Sequence, residues 1–192
     1  MKEIFLTLSI IVGFISPLIG ISSVIWGSFR PQRMTRLLIF LLSLLFVGTL
    51  FSQGDKNGIY IAVAQLLGSF VILLLSIRKG IGGWGRLDQI VLVLTIASLV
   101  VWKTTNNPLL GLLMSIVTDF IGFVPTIAKT WQYPETEEWK FYMSDVISST
   151  FSLLSLTTYS LGATAFPAYI LFINALGVVL ILGRGWVLKR DM

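Results

Sequence analysis

The chain has 192 residues, 55% hydrophobic and only 12% charged, with a formal net charge of +5. A soluble domain carries about 25% charged residues, so the composition excludes a soluble globular protein. The absence of cysteine and histidine rules out disulfides and thiolate chemistry and removes the commonest general base and metal ligand; no cofactor, no metal and no enzymatic activity are expected.

The apolar residues fall in blocks near the roughly 20 residues needed to cross about 30 Å of hydrocarbon. The first starts behind Lys2 and runs past Gly13 and Pro17 to the arginines at Arg30. That is span length rather than signal-peptide length, so no cleavage is expected. This block predicts a helix over Ile4–Phe29, and the later blocks predict Thr35–Ser52, Gly58–Ile77, Leu87–Trp102, Pro108–Thr130, Trp139–Thr158 and Ala163–Leu188. The breaks carry turn chemistry: Arg30-Pro31-Gln32, Gly54-Asp55-Lys56-Asn57-Gly58, Gly80-Ile81-Gly82-Gly83, Asn106-Asn107-Pro108 and Pro134-Glu135.

Basic residues in these short breaks set orientation. With the N-terminus outside, the inner side holds Arg30, Arg33, Arg36, Arg78, Lys79, Arg86, Lys129, Lys140, Arg184, Lys189 and Arg190, against Lys2, Lys56 and Lys103 outside. Cationic composition is thereby accounted for without nucleic acid. Trp26, Trp84, Trp131, Trp139 and Trp186 fall on the inner side and Trp102 at an outer end, as in an aromatic belt.

The third and seventh blocks align without a gap. Tyr60 meets Tyr169, Gly68 meets Gly177, and Gln65 meets Asn174, each amide three residues before its glycine. The first and fifth blocks align with a one-residue slip, Pro17 against Pro125. This order predicts an all-α integral membrane protein of seven transmembrane helices: a first repeat (1–80), a linker helix (81–107) and a second repeat (108–192). An odd linker sends both halves through the membrane in one direction, so they are parallel repeats about an axis along the membrane normal. The N-terminus lies out and the C-terminus in.

Three-one-three helices, the proline in helices one and five, and Asn174-x-x-Gly177 together resemble the SWEET, MtN3 and PQ-loop superfamily of small membrane transporters. Pro125-Thr126-Ile127 is similar to the opening of a PQ-loop, with Thr126 in place of glutamine, and Pro17-Leu18 also lacks that glutamine. The resemblance implies transport by alternating access between two halves; it does not carry sugar specificity with it.

An ionisable side chain inside a span is a functional candidate by default. Asp119 sits mid-helix five with Ser115, Gly122, Thr126 and Lys129 continuing its face. Asp145 lies two turns into helix six, ahead of a stripe of Ser148, Ser149, Ser152, Ser155 and Tyr159. The stripe reads either as a wet cavity wall or as close helix packing, and Asp145 either as a functional carboxylate or as a partner of Lys129 or Lys140. For a carrier, Asn174, Gln65, Asp119 and Ser115 are expected to contact solute, Asp119 and Asp145 to couple protons, and Pro17 and Pro125 to act as hinges. Partners are then the bilayer of the cell membrane (the cytoplasmic membrane of a bacterium) and a small polar solute: a sugar, an amino acid or a vitamin-like molecule. A strongly anionic solute is not expected, since it calls for buried arginine. A homo-oligomer stays open. The alternative from another class is a non-transporting membrane scaffold or sensor, for which a dry, closed core is expected.

Overall fold

Each break closes a helix through its own residues. At Gly54 the backbone turns left-handed (φ 68°), and its N–H reaches back to the carbonyls of Leu50 and Phe51. At the next break Asn107 accepts from the N–H groups of Leu109 and Leu110, with Pro108 opening the helix. The computed structural model describes residues 1–27, 29–80 and 82–190, with side chains as far as Val187. Its helices are α1 (Lys2–Trp26), α2 (Arg33–Gln53), α3 (Gly58–Lys79), α4 (Arg86–Thr105), α5 (Pro108–Gln132), α6 (Trp139–Ser155) and α7 (Leu161–Arg190), with one 3-10 turn at Pro134–Thr136. The break at Ile81, the chain end at 191–192 and the side chains of Lys189 and Arg190 lie outside the described residues.

Most helices run one to three residues beyond their apolar blocks, because apolarity marks hydrocarbon rather than helix. Lysines, arginines and amides continue a helix at headgroup depth, as Arg78 and Lys79 do in α3. Two helices end early. The first stops at Trp26 instead of Phe29, where Gly27 takes φ 83°. The sixth stops at Ser155 instead of Thr158, where Leu156 leaves helical backbone. Six helices, all but α6, are long and apolar enough to cross a membrane. The 17 residues of α6 rise only about 25 Å, short of a hydrocarbon layer of about 30 Å. The chain is an α-helical multi-pass membrane protein.

Six helices form a closed ring. Helix α1 packs on α3, α3 on α2, α2 on α5, α5 on α7, α7 on α6, and α6 back on α1; α4 lies outside against α5 and α2. Consecutive helices run in opposite directions, so the ring has a proximal end, where α1 begins, and a distal end, where it finishes. Lys2, Lys56 and Lys103 mark the proximal end, and the other basic residues with described side chains collect toward the distal one.

The outer face is apolar: Leu18, Val93, Phe172 and Val179 are all more than half exposed. Inside, the small hydroxyl residues are buried. Such a surface suits lipid, not water. The seam between α1 and α6 illustrates the interior. On α1, Ser9, Gly13, Ser16, Gly20 and Ser23 recur at alternating steps of four and three, and all are buried. Phe141, Asp145, Ser148, Ser152 and Ser155 are spaced the same way on α6, which packs against α1. The Ser148 hydroxyl donates to the Ser9 carbonyl at 2.8 Å, and a Cβ on Gly13 would lie 2.9 Å from that hydroxyl. At Ser148 the serine stripe is therefore close helix packing, whereas Tyr159 is exposed beyond the end of α6.

Candidate functional site: a central polar cavity

A cavity of about 130 Å³ occupies the middle of the ring. Its wall takes Ser16 and Pro17 from α1, Ser43 from α2, Gln65 and Gly68 from α3, Asp119 and Pro125 from α5, Asp145 from α6 and Asn174 from α7. All the residues expected at a solute site, except Ser115, thus converge on one space together with both hinge prolines. Ser115 is fully buried outside it, and its hydroxyl donates to the Gly111 carbonyl one turn back at 2.8 Å. The expected solute contact by Ser115 is corrected accordingly: a serine can satisfy itself within its own helix, so its identity does not oblige it to face a cavity.

The amides stand level with each other. Gly58 of α3 lies against Phe166 and Pro167 of α7. Gln65 and Asn174 follow at the same distance along these two helices, which run in parallel. The Asn174 amide nitrogen donates to the Ile170 carbonyl at 2.8 Å, leaving its oxygen free of that bond. Gly68 has to be glycine, because a Cβ there would sit 2.2 Å from Cβ of Pro17. That contact brings α3 onto α1 at the proline.

The two carboxylates have different surroundings. Asp119 Oδ2 accepts a 2.6 Å hydrogen bond from the Tyr169 hydroxyl of α7. Asp145, 3% exposed, faces Ser16, whose hydroxyl donates to the Phe141 carbonyl at 3.3 Å. It makes no ion pair with Lys129 or Lys140. Lys129 instead pairs with Glu137 at 2.9 Å.

The two ends of the cavity also differ. On the proximal side the ring axis is filled by Phe46 and Phe166, ring centroids 4.9 Å apart, with Leu50, Ile61 and Leu112 buried around them. On the distal side the wall continues to Thr35 and Arg36 at the start of α2, Asp88 at the start of α4, and Thr126 and Tyr142. Beside this distal end Glu137 accepts from both Lys129 and the Tyr142 hydroxyl, the latter at 2.8 Å. Lys129 also reaches the Arg30 carbonyl at 3.4 Å, and the Arg36 guanidinium lies 4.7 Å from the centre of the Phe29 ring. Arg36, Tyr142, Tyr169 and Glu137 join the site although no motif in the sequence marks them as site residues. Tyr169 carried a signal in its alignment with Tyr60, yet Tyr60 is exposed and Tyr169 buried. Among the described residues no three His, Cys, Asp or Glu side chains gather to hold a metal ion.

Comparison of the chain with protein-family models, with curated proteins and with solved structures returns no match. A functional reading therefore rests on the cavity itself.

Proposed function

We propose that this chain is a small-solute carrier working by alternating access, with the central cavity as its solute site. The observation that carries the reading is the cavity's make-up: two level amides from aligned positions of α3 and α7, the two inner carboxyl groups Asp119 and Asp145, a polar distal end and an aromatic pair on the proximal side. Polar side chains within spans are expensive, and their convergence on one space in the bundle is what a transport site requires. The ring order supports the reading. The sequences α1-α3-α2 and α5-α7-α6 follow one pattern, as expected of two parallel three-helix repeats joined by α4 as linker, in line with the resemblance to the SWEET and PQ-loop superfamily. The basic residues favour a cytoplasmic distal end, so the polar end of the cavity is taken as its inward-facing side. Pro17 and Pro125, both on the cavity wall, are the flexing points, and Asp119 and Asp145 are the groups able to couple protons.

A membrane scaffold or sensor has no need of such a cavity, and the cavity weighs against it. Alternating access is tested with a single cysteine in place of Thr126, on the distal wall. In reconstituted vesicles it reacts with impermeant maleimide from the distal side only, and a transported solute slows that reaction while accumulating inside. Uptake no higher than in empty liposomes across sugars, amino acids and vitamins, with labelling unaffected by any of them, would sink the carrier reading.

A further inference from the structure

We propose that the cavity takes a small organic cation, and that each cation displaces one proton from the acid pair Asp119 and Asp145. Transport of that cation rests on the carrier reading above, whereas its binding rests on the cavity alone.

Three carboxylic acids line the cavity, Asp88, Asp119 and Asp145, against one basic residue, Arg36. Among the described residues the single ion pair is Lys129–Glu137, so none of these four has an ionic partner. A buried carboxylate without a counter-charge is costly, and it is held either as the neutral acid or beside a cation supplied from outside. Arg36 is not that cation for the two inner acids. It sits in the first turn of α2 at the distal end, over the Phe29 ring, whereas Asp119 is bonded by Tyr169 and Asp145 faces Ser16. Of the charged and titratable groups near the cavity, Tyr169 from α7 bonds Asp119. Tyr142, on the same helix as Asp145, is bonded to Glu137; Arg36 and Asp88 lie at the starts of α2 and α4, and the walls given by α1, α3 and α7 hold no charged residue.

The remaining surface fits the same ligand. The amide oxygens of Gln65 and Asn174 can accept from an ammonium group. Phe46, Phe123 and Phe141 line the wall, and aromatic rings attract cations. Leu42, Ile72 and Ile173 make the rest aliphatic. A polyol, whose every hydroxyl needs a partner when buried, fits such a wall poorly. The exchange balances: each ammonium that pairs with a carboxylate sends the proton of that acid to solvent, only an O–H bond is broken, and the charge inside the cavity is unchanged.

The test uses the full chain in detergent, with choline and n-butylammonium as probes against glucose and dimethylbutanol, the uncharged carbon isostere of choline. The cations are expected to raise the melting temperature while the neutral compounds do not. In weakly buffered solution about one proton is released per cation bound. Because fewer protons remain to be displaced as pH rises, the apparent Kd falls with increasing pH, by up to about tenfold per unit for as long as the displaced proton is still bound. Asp119→Asn and Asp145→Asn each weaken binding about tenfold or more and reduce the proton release. Should either variant fail to fold, the wild-type proton release still decides. Equal stabilisation by dimethylbutanol, binding without proton release, or no response to either cation overturns the proposal. Cation binding without uptake into liposomes removes the carrier reading and leaves this one standing; uptake of a neutral solute without cation binding does the reverse.

Discussion

Serines of one stripe do different work. Ser148 and Ser152 are both fully buried on α6, but Ser148 donates to the Ser9 carbonyl whereas the Ser152 hydroxyl has no partner. Interhelical hydrogen bonds in membrane proteins contribute about 0.6 kcal/mol on average, and an unmade one in a buried site costs more than that. Ser148→Ala is therefore expected to destabilise the fold by about 0.5–1.5 kcal/mol, while Ser152→Ala is neutral or stabilising; thermal unfolding in detergent reads both. Equal losses would mean that the hydroxyls matter only as volume. The sequence tells apart which polar residues are forced inward and which are not. Gln65, Asn174, Asp119 and Asp145 have long or charged side chains that lipid cannot satisfy, so their placement in the interior is legible. Ser115 is not legible, because its own helix satisfies it. Arg36 reads as a loop charge although it lines the cavity, since topology counting does not ask where a stem points.

At the scale of helices, the contact of α1 with α3 hangs on one glycine. Alanine at position 68 places its methyl 2.2 Å from Cβ of Pro17, well inside contact distance, and neither a proline ring nor a helix backbone yields cheaply. Gly68→Ala should cost about 1–3 kcal/mol, seen as a lowered melting temperature, and it should widen the cavity wall that these two residues share. An unchanged melting temperature would show that the helices separate freely at the proline, making Pro17 a looser hinge than the packing suggests. The helices themselves are legible from hydropathy and turn residues, and their ends are not. Both hydrocarbon-depth and headgroup-depth residues are helical, and the sixth helix stops short where Leu156 turns away.

For the whole molecule, ring order is the least legible property. The small-residue spacing of α1 matches that of α6, yet nothing in either helix alone names its partner. Lysine and arginine placement predicts an orientation that labelling can test. Because the chain contains no cysteine, single substitutions report it without background. Lys56→Cys at the proximal end should react with impermeant maleimide in intact cells, and Arg86→Cys at the distal end only after lysis; both positions are exposed. The reverse pattern would invert the protein, and labelling of both from one side would require an even number of crossings between them.

The α1–α6 seam also bears on how the protein is made. Ser16 and the Phe141 carbonyl it bonds are 125 residues apart in the chain, and synthesis at about 5–20 residues per second separates them by roughly ten seconds. During that interval the small-residue stripe of α1 lacks its α6 partner. Ring closure is thus a late event of biogenesis, and a nascent chain stalled before Trp139 presents the insertion machinery with an open, unsealed bundle.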